Sequence, residues 1–204
     1  MAGLWLASGL LVLAFAIAHT FRQLAEFLSI TAPRATDTLV IEGWIPDHAV
    51  AAAARELTQR RYEQAIIVGQ PIWKGAHLSK YENLAQLTAE TLKHLGVEPS
   101  RLVVVPCPQV NHYRTYTAAL EVRQWLQQHR PDLQAVNVLT LSAHARRSWL
   151  VYRHTLGPQV KVGVIAVASP NYDPRRWWRS SAGFRHVVSE AIAYGYARLF
   201  DWRA

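Results

Sequence analysis

The sequence predicts an α/β fold: a Rossmann-like parallel sheet of about five strands with helices on both faces, preceded by one transmembrane helix. Three observations carry this. After residue 38, five short apolar, β-branched runs alternate with helical patterns. The stretches between them are long enough for crossover helices, which makes the strands parallel and the crossovers right-handed. Ahead of all this, Met1 to Phe21 contains no charged side chain.

These observations divide the chain into an anchor helix over residues 1–30, a linker over 31–37 and one α/β domain over 38–204. A length of 204 residues suits one well-filled core. Half the residues are hydrophobic and 18% are charged, which excludes the disordered classes. The net charge of +8 favours anionic partners: phosphates, nucleotides or anionic membrane lipid. Nucleic acid is not expected, because zinc-finger, helix-turn-helix and RNA-binding signatures are missing and the arginines are scattered. A single cysteine, Cys107, excludes an internal disulfide and a Cys-rich metal site.

Leu4 to Ala18 is nearly continuous Leu, Val, Ala, Ile, Phe and Trp, and about 20 such residues cross a bilayer core as a helix. An uncleaved anchor is the reading taken, with Trp5 at its interfacial edge. A cleaved signal peptide stays open through Ala16-Ile17-Ala18, although the basic n-region is missing, and a buried core helix is the other alternative. Arg22 and Arg34 follow the segment and by themselves favour a cytoplasmic domain, a vote of two charges that leaves the side open. The helix continues over Phe21 to Ile30, with Arg22 and Glu26 four apart, and ends at Thr31-Ala32-Pro33.

The five strands are Leu39–Ile41, Ala65–Val68, Leu102–Val105, Val136–Leu141 and Val160–Ala166, each a run expected of strands buried on both faces. Helices are expected over Asp47–Arg60, Ser79–Leu95, Arg114–His129 and His144–Leu156. Ser79 with Glu82 three residues on reads as a capping box, and Gly96 and Gly157 close helices. Asn111 is placed as a cap for the third helix and Ser142 for the fourth. Asp173-Pro174 opens a last segment carrying Arg175-Arg176-Trp177-Trp178-Arg179, followed by a helix from Phe184 to Trp202. Phe184, Val187, Val188, Ala191, Ile192 and Leu199 are expected on its apolar face. The Arg/Trp segment suits either packing on the sheet edge or an interfacial surface against anionic head groups.

Ligands of open parallel sheets bind beyond the carboxyl ends of the strands, so the residues after each run are the site candidates. Glu42, at the end of the first strand and followed by Gly43 and Trp44, is placed to act as a base, to bind a ribose hydroxyl or cation, or to pair with an arginine. Gly69 and Gln70 follow the second strand. Arg114 and Thr115 open a helix, where a cation opposes the macrodipole and a bound anion would relieve it. Ser142, His144 and Arg147 repeat that oddity one strand later, and two such helix starts point to a shared anion site, with His144 as proton donor or phosphate ligand. Ser79 is counted with the ligand-binding residues. No dinucleotide fingerprint, phosphate loop, nucleophile elbow or HExxH occurs, and no metal site is assigned.

Leu39-Val40-Ile41-Glu42-Gly43, Ala65 to Gly69, Ser79, Gly96-Val97, Arg114-Thr115, and Thr140 with His144 and Arg147 resemble, in order and rough spacing, the YdcF/SanA/ElyC family, a bacterial envelope-associated group of unknown function. The resemblance covers roughly Thr38 to Ala168. It implies a Rossmann-like domain, with N-terminal membrane helices in several members, a role in envelope integrity or peptidoglycan and surface-glycan metabolism, and a polyanionic or nucleotide-like ligand; the leading reading for this cleft is a phosphorylated or carboxylated envelope precursor. Arg114 stands where an Asn is common and Leu141 where a Ser is common, which makes this cleft more cationic. Two other functions stay open: an enzyme with a nucleotide-type cofactor such as S-adenosylmethionine, for which Glu42 would be the ribose contact, and a non-catalytic membrane scaffold.

Overall fold

The computed structural model describes residues 2–59 and 62–200. Along the chain lie α1 (Ala2–Leu28), β1 (Thr38–Glu42), α2 (Asp47–Gln59), β2 (Gln64–Gly69), α3 (Leu84–His94), β3 (Leu102–Pro106), α4 (Arg114–His129), β4 (Ala135–Leu141), α5 (Ala145–Leu156), β5 (Lys161–Val167) and α6 (Ser181–Leu199). The five strands form one sheet in the order β3-β2-β1-β4-β5, with every neighbouring pair parallel. The chain winds outward through β1, β2 and β3, then returns to place β4 beside β1. That reversal puts the switch point between the carboxyl ends of β1 and β4, where doubly wound folds open a crevice.

The period-2 alternation of the strands sorts side chains into two cores. Leu39, Ile41, Ala65 and Ile67 face α2 and α3, meeting Ala49, Val50, Ala53, Leu57, Ala85, Ala89 and Leu92. Val40, Ile66, Val68, Val136 and Val138 face α4 and α5, meeting Ala119, Val122, Leu126, Val151, Tyr152 and Leu156. Edge position exposes part of β3, and Val104 faces solvent there. Glycine permits close approach at Gly69 and at Gly163, the two tightest contacts on the sheet. A Cβ on Gly69 would lie 2.5 Å from the Ala85 nitrogen of α3, and one on Gly163 would lie 2.0 Å from Asn137 Oδ1.

A third cluster joins the chain's two ends. Ala25 and Leu28 of α1 pack with Ala143, Tyr172, Trp177 and Val187, and the Phe21 ring lies 4.5 Å from Trp177. Arg146 closes the foot of α1, donating from Nε to the Phe27 carbonyl with its guanidinium 3.7 Å from the Phe27 ring. The linker then runs antiparallel along β5: the Ala166 amide donates to Thr31 Oγ1, Ala32 bridges Val164, and Thr36 Oγ1 donates to the Ala135 carbonyl. Asn137, buried on β4, accepts from the Arg34 amide at 2.7 Å and donates to the Arg34 carbonyl at 2.9 Å and to Tyr62 Oη at 2.8 Å. Because the linker starts beside Ala166, α1 leaves the domain at the carboxyl end of the sheet. Residues 8–28 are long and apolar enough to cross a membrane.

Several local expectations are corrected. The second crossover helix begins at Leu84, not Ser79. Its cap is Asn83, whose side chain accepts from the Gln86 amide, while Ser79 accepts from the Tyr81 amide in the preceding turn. Asn111 caps nothing: Tyr113 stands before α4 with φ +56 and no capping side chain. Ser142 is no cap either, because it lies at φ +45 in a 3₁₀ turn with its Oγ 2.7 Å from Tyr172 Oη. The last helix starts at Ser181 with Ser180 as cap, and only part of its expected apolar face is covered: Val187 is buried, whereas Phe184, Ile192 and Leu199 are exposed. Arg60 and Trp202, the expected ends of two helices, lie outside the described residues.

Candidate functional site

At the switch point a cleft of about 1100 Å³ opens at the carboxyl end of the sheet. Its floor is Glu42 and His144, and its walls carry Trp44, Gly69, Gln70, Trp73, Cys107, Tyr113, Arg114, Thr115, Tyr116, Arg147, His186, Glu190 and Tyr196. The folding logic is direct. β1 and β4 deliver Glu42 and Thr140 side by side, α5 adds His144, Arg147 and Ser148 from its first turn and the turn before it, and α6 closes the far wall.

Glu42 is 1% exposed. A buried carboxylate needs donors, and the strand partner Thr140 and the α5 residue Ser148 supply them. Thr140 Oγ1 donates to Glu42 Oε2, and Ser148 Oγ lies 3.1 Å from Oε1 and 3.2 Å from Oε2. Glu42 is therefore held by hydroxyls, and the expected arginine pair is not formed.

His144 is held from the opposite side. Its Nδ1 lies 2.9 Å from Glu190 Oε1 and also 2.9 Å from Arg147 Nη2. A carboxylate only accepts, so Nδ1 carries the proton and donates to Glu190, and Arg147 directs its protons to that carboxylate as well, from Nε at 2.8 Å and Nη2 at 3.0 Å. Arg147 Nη1 reaches Thr115 Oγ1 at 3.2 Å, tying α5 to α4. Nε2 of His144 is left facing the floor, 3.6 Å from Glu42 Oε2 and without a hydrogen-bond partner. Trp44 fixes the ring edge-on at 4.9 Å.

Electrostatics follow from these contacts. Burial alone would raise the Glu190 carboxyl, but hydrogen bonds and charge from His144 and Arg147 override it and hold Glu190 well below the usual carboxylate range. His186, on the cleft wall, is pushed down by burial, against the pull of Glu190 and with the charges of His144 and Arg147 adding to it. Burial, with Glu121 nearby, pushes the Cys107 thiol up to about 12, so it is no nucleophile. Fully buried Tyr152 is raised by burial and by the charges of Glu42 and Cys107.

Of the candidates read from the sequence, Glu42, Trp44, Gly69, Gln70, Arg114, Thr115, His144 and Arg147 line this cleft. Three expected members do not line it. Gly43 lies beneath, where its missing Cβ lets the Leu84 carbonyl approach and its own carbonyl accepts from Thr88. Ser142 turns away to Tyr172, and Ser79 sits in the turn before α3. The shared anion site also changes character: Glu190 neutralises Arg147, and among the described residues no carboxylate pairs with Arg114, which stays exposed at the helix start. Sequence reasoning missed Glu190, because it sits on a segment read only for its apolar face. It missed Trp73, Tyr113 and Tyr196 because nothing in their spacing marks a cleft. Among the described residues, no group of three or more His, Cys, Asp or Glu side chains is placed to hold a metal ion.

The fold and site define a parallel α/β protein with an aromatic-walled cleft at the switch point and, at its floor, a histidine oriented by one carboxylate and facing another. Comparison with known protein families and with curated proteins finds no match to this chain.

Proposed function

We propose that the protein is a single-pass, membrane-anchored envelope protein of the YdcF/SanA/ElyC kind, whose cleft takes the head of a phosphorylated or carboxylated envelope precursor. The observation that carries this reading is the shared geometry of anchor and cleft: α1 leaves from the carboxyl end of the sheet, the end at which the cleft opens. Phe27 of α1 lies 5.8 Å from Tyr194 of α6, one residue from Ala193 on the cleft wall. From Phe21, where the uncharged run ends, to Phe27 is about 9 Å of helix, so the cleft wall stands within head-group reach of a bilayer. Arg114 and the uncapped amides at the start of α4 supply the anion contacts. His144 Nε2, with Nδ1 held by Glu190, is the group that takes or gives a proton.

A thermal-shift screen of the full chain in detergent tests this. The ligands are nucleotides, sugar nucleotides, S-adenosylmethionine and polyprenyl phosphate analogues, and wild type is compared with Arg114→Ala and His144→Ala. At about 100 times its dissociation constant a cleft ligand adds about 2.7 kcal/mol, or about 5–10 °C for a chain of this size. An anionic precursor analogue that stabilises wild type but neither variant supports the reading. Stabilisation by S-adenosylmethionine alone replaces it with the cofactor reading, and no response to any ligand leaves a membrane scaffold in its place.

A further inference from the structure

The motif Arg175-Arg176-Trp177-Trp178-Arg179 has no part in the cleft. It forms two short 3₁₀ turns over Pro174–Arg179, joined across a kink at Arg176 (φ −136, ψ 30) and capped by Asp173, whose carboxylate accepts from the Arg175 amide at 2.9 Å. The two tryptophans fasten this segment to α1. Trp177 is fully buried, 4.5 Å from Phe21 and 5.9 Å from Phe184, and Trp178 lies 6.0 Å from Phe21. With the indoles turned toward Phe21, Arg175, Arg176 and Arg179 are left exposed beside the stretch of α1 from Phe21 to Glu26, which carries exposed Arg22. The acidic groups beside them are Asp173 and Glu26, the latter only 4.0 Å from Arg175 with both side chains largely in solvent. Four arginines therefore face two carboxylates.

The height of this face decides its partner. A bilayer core takes about 20 helical residues, and the uncharged run ends at Phe21, so the segment sits where α1 emerges from the hydrocarbon. Arginine at that depth meets lipid phosphates, and buried tryptophan beneath it supplies a rigid mount. We propose that Arg22, Arg175, Arg176 and Arg179 form a docking face for the anionic phospholipid head groups of the leaflet from which α1 emerges. This rests on α1 spanning the membrane and is independent of what the cleft binds.

The test places an environment-sensitive fluorophore on Ser181→Cys, an exposed position two residues beyond Arg179. The full chain is reconstituted in vesicles of phosphatidylcholine alone or with one part in three phosphatidylglycerol. Each arginine near an anionic surface contributes roughly fivefold, so Arg175→Gln/Arg176→Gln/Arg179→Gln weakens docking by about a hundredfold. The expected result is a blue shift with phosphatidylglycerol that the triple variant and high salt abolish. Arg123→Gln/Lys161→Gln, which lowers the charge elsewhere, keeps the shift, and free inorganic phosphate does not produce it. Equal emission in both vesicles, a shift that survives the triple variant, or one that the control pair also removes overturns the proposal. Extraction of the chain by alkaline carbonate would instead remove the anchor itself, and the docking face with it.

Discussion

Glu190 holds two basic groups in place, and Glu190→Gln measures what that is worth. The substitution keeps size and one acceptor oxygen but removes the charge between Arg147 and His144. Removing one partner of a buried ion pair costs about 3–5 kcal/mol, because the other is left uncompensated. Here the side chains of Glu190 and Arg147 are 13% and 20% exposed. Solvent access to Arg147 and the remaining amide oxygen reduce the cost to about 2 kcal/mol, or about 4–8 °C in Tm. The pH dependence has a fixed sign. Since the folded-state pKa of Glu190 is depressed below the ordinary 4.5, its contribution is complete above that value and is lost as pH falls through the folded value. The Tm gap between wild type and variant, read by circular dichroism on the full chain in detergent, should be present at pH 7 and narrow below about pH 4.5. Equal melting at pH 7, or a gap undiminished at pH 3, would refute the account of this pair.

Gly163→Ala should be among the most damaging substitutions away from the cleft. A Cβ there would lie 2.0 Å from Asn137 Oδ1 and 2.7 Å from the Arg34 amide, so a Tm loss of about 5–10 °C is expected, and wild-type melting would contradict the packing described. Arg146→Ala removes both the donor to the Phe27 carbonyl and the cation over its ring. Limited proteolysis should then cut residues 28–38 several-fold faster than in wild type, and unchanged cleavage would show that Arg146 does not hold the foot of α1. With its thiol pushed up to about 12, Cys107 should react with iodoacetamide at pH 8 at least about a thousandfold more slowly than an exposed cysteine at position 181; comparable rates would show Cys107 to be accessible and ionised.

The strands and the two-faced sheet were legible because their signals are local: β-branched runs, period-2 alternation and glycine stops. Arg114–His129 coincides with its expected span, since its apolar stripe of Ala119, Val122 and Leu126 fixes it even though the expected Asn111 cap is not made. Ser79 misled because Ser-Lys-Tyr-Glu carries a capping pattern, yet the buried stripe Ala85, Ala89 and Leu92 starts only after Asn83, which supplies the actual cap. Ser142 misled because a residue type that favours caps also tolerates the tight, left-handed turn it occupies. Glu42, His144 and Arg147 were identifiable from their place after strands, and parallel topology alone brings them together. Glu190 was not, because its partners lie 43 and 46 residues away on another helix and no spacing rule links them.

A flexible linker of the length of residues 31–37 would let the domain sweep a radius of about 15 Å around its anchor. Asn137, Thr31 and Thr36 remove that sweep by fastening the linker to β4 and β5, so α1 acts as a bracket and not as a leash. With α1 spanning a bilayer as proposed above, the cleft would keep one height and one tilt over it. Whatever it meets would then arrive at that plane, by lateral diffusion within the membrane or by presenting itself at its surface.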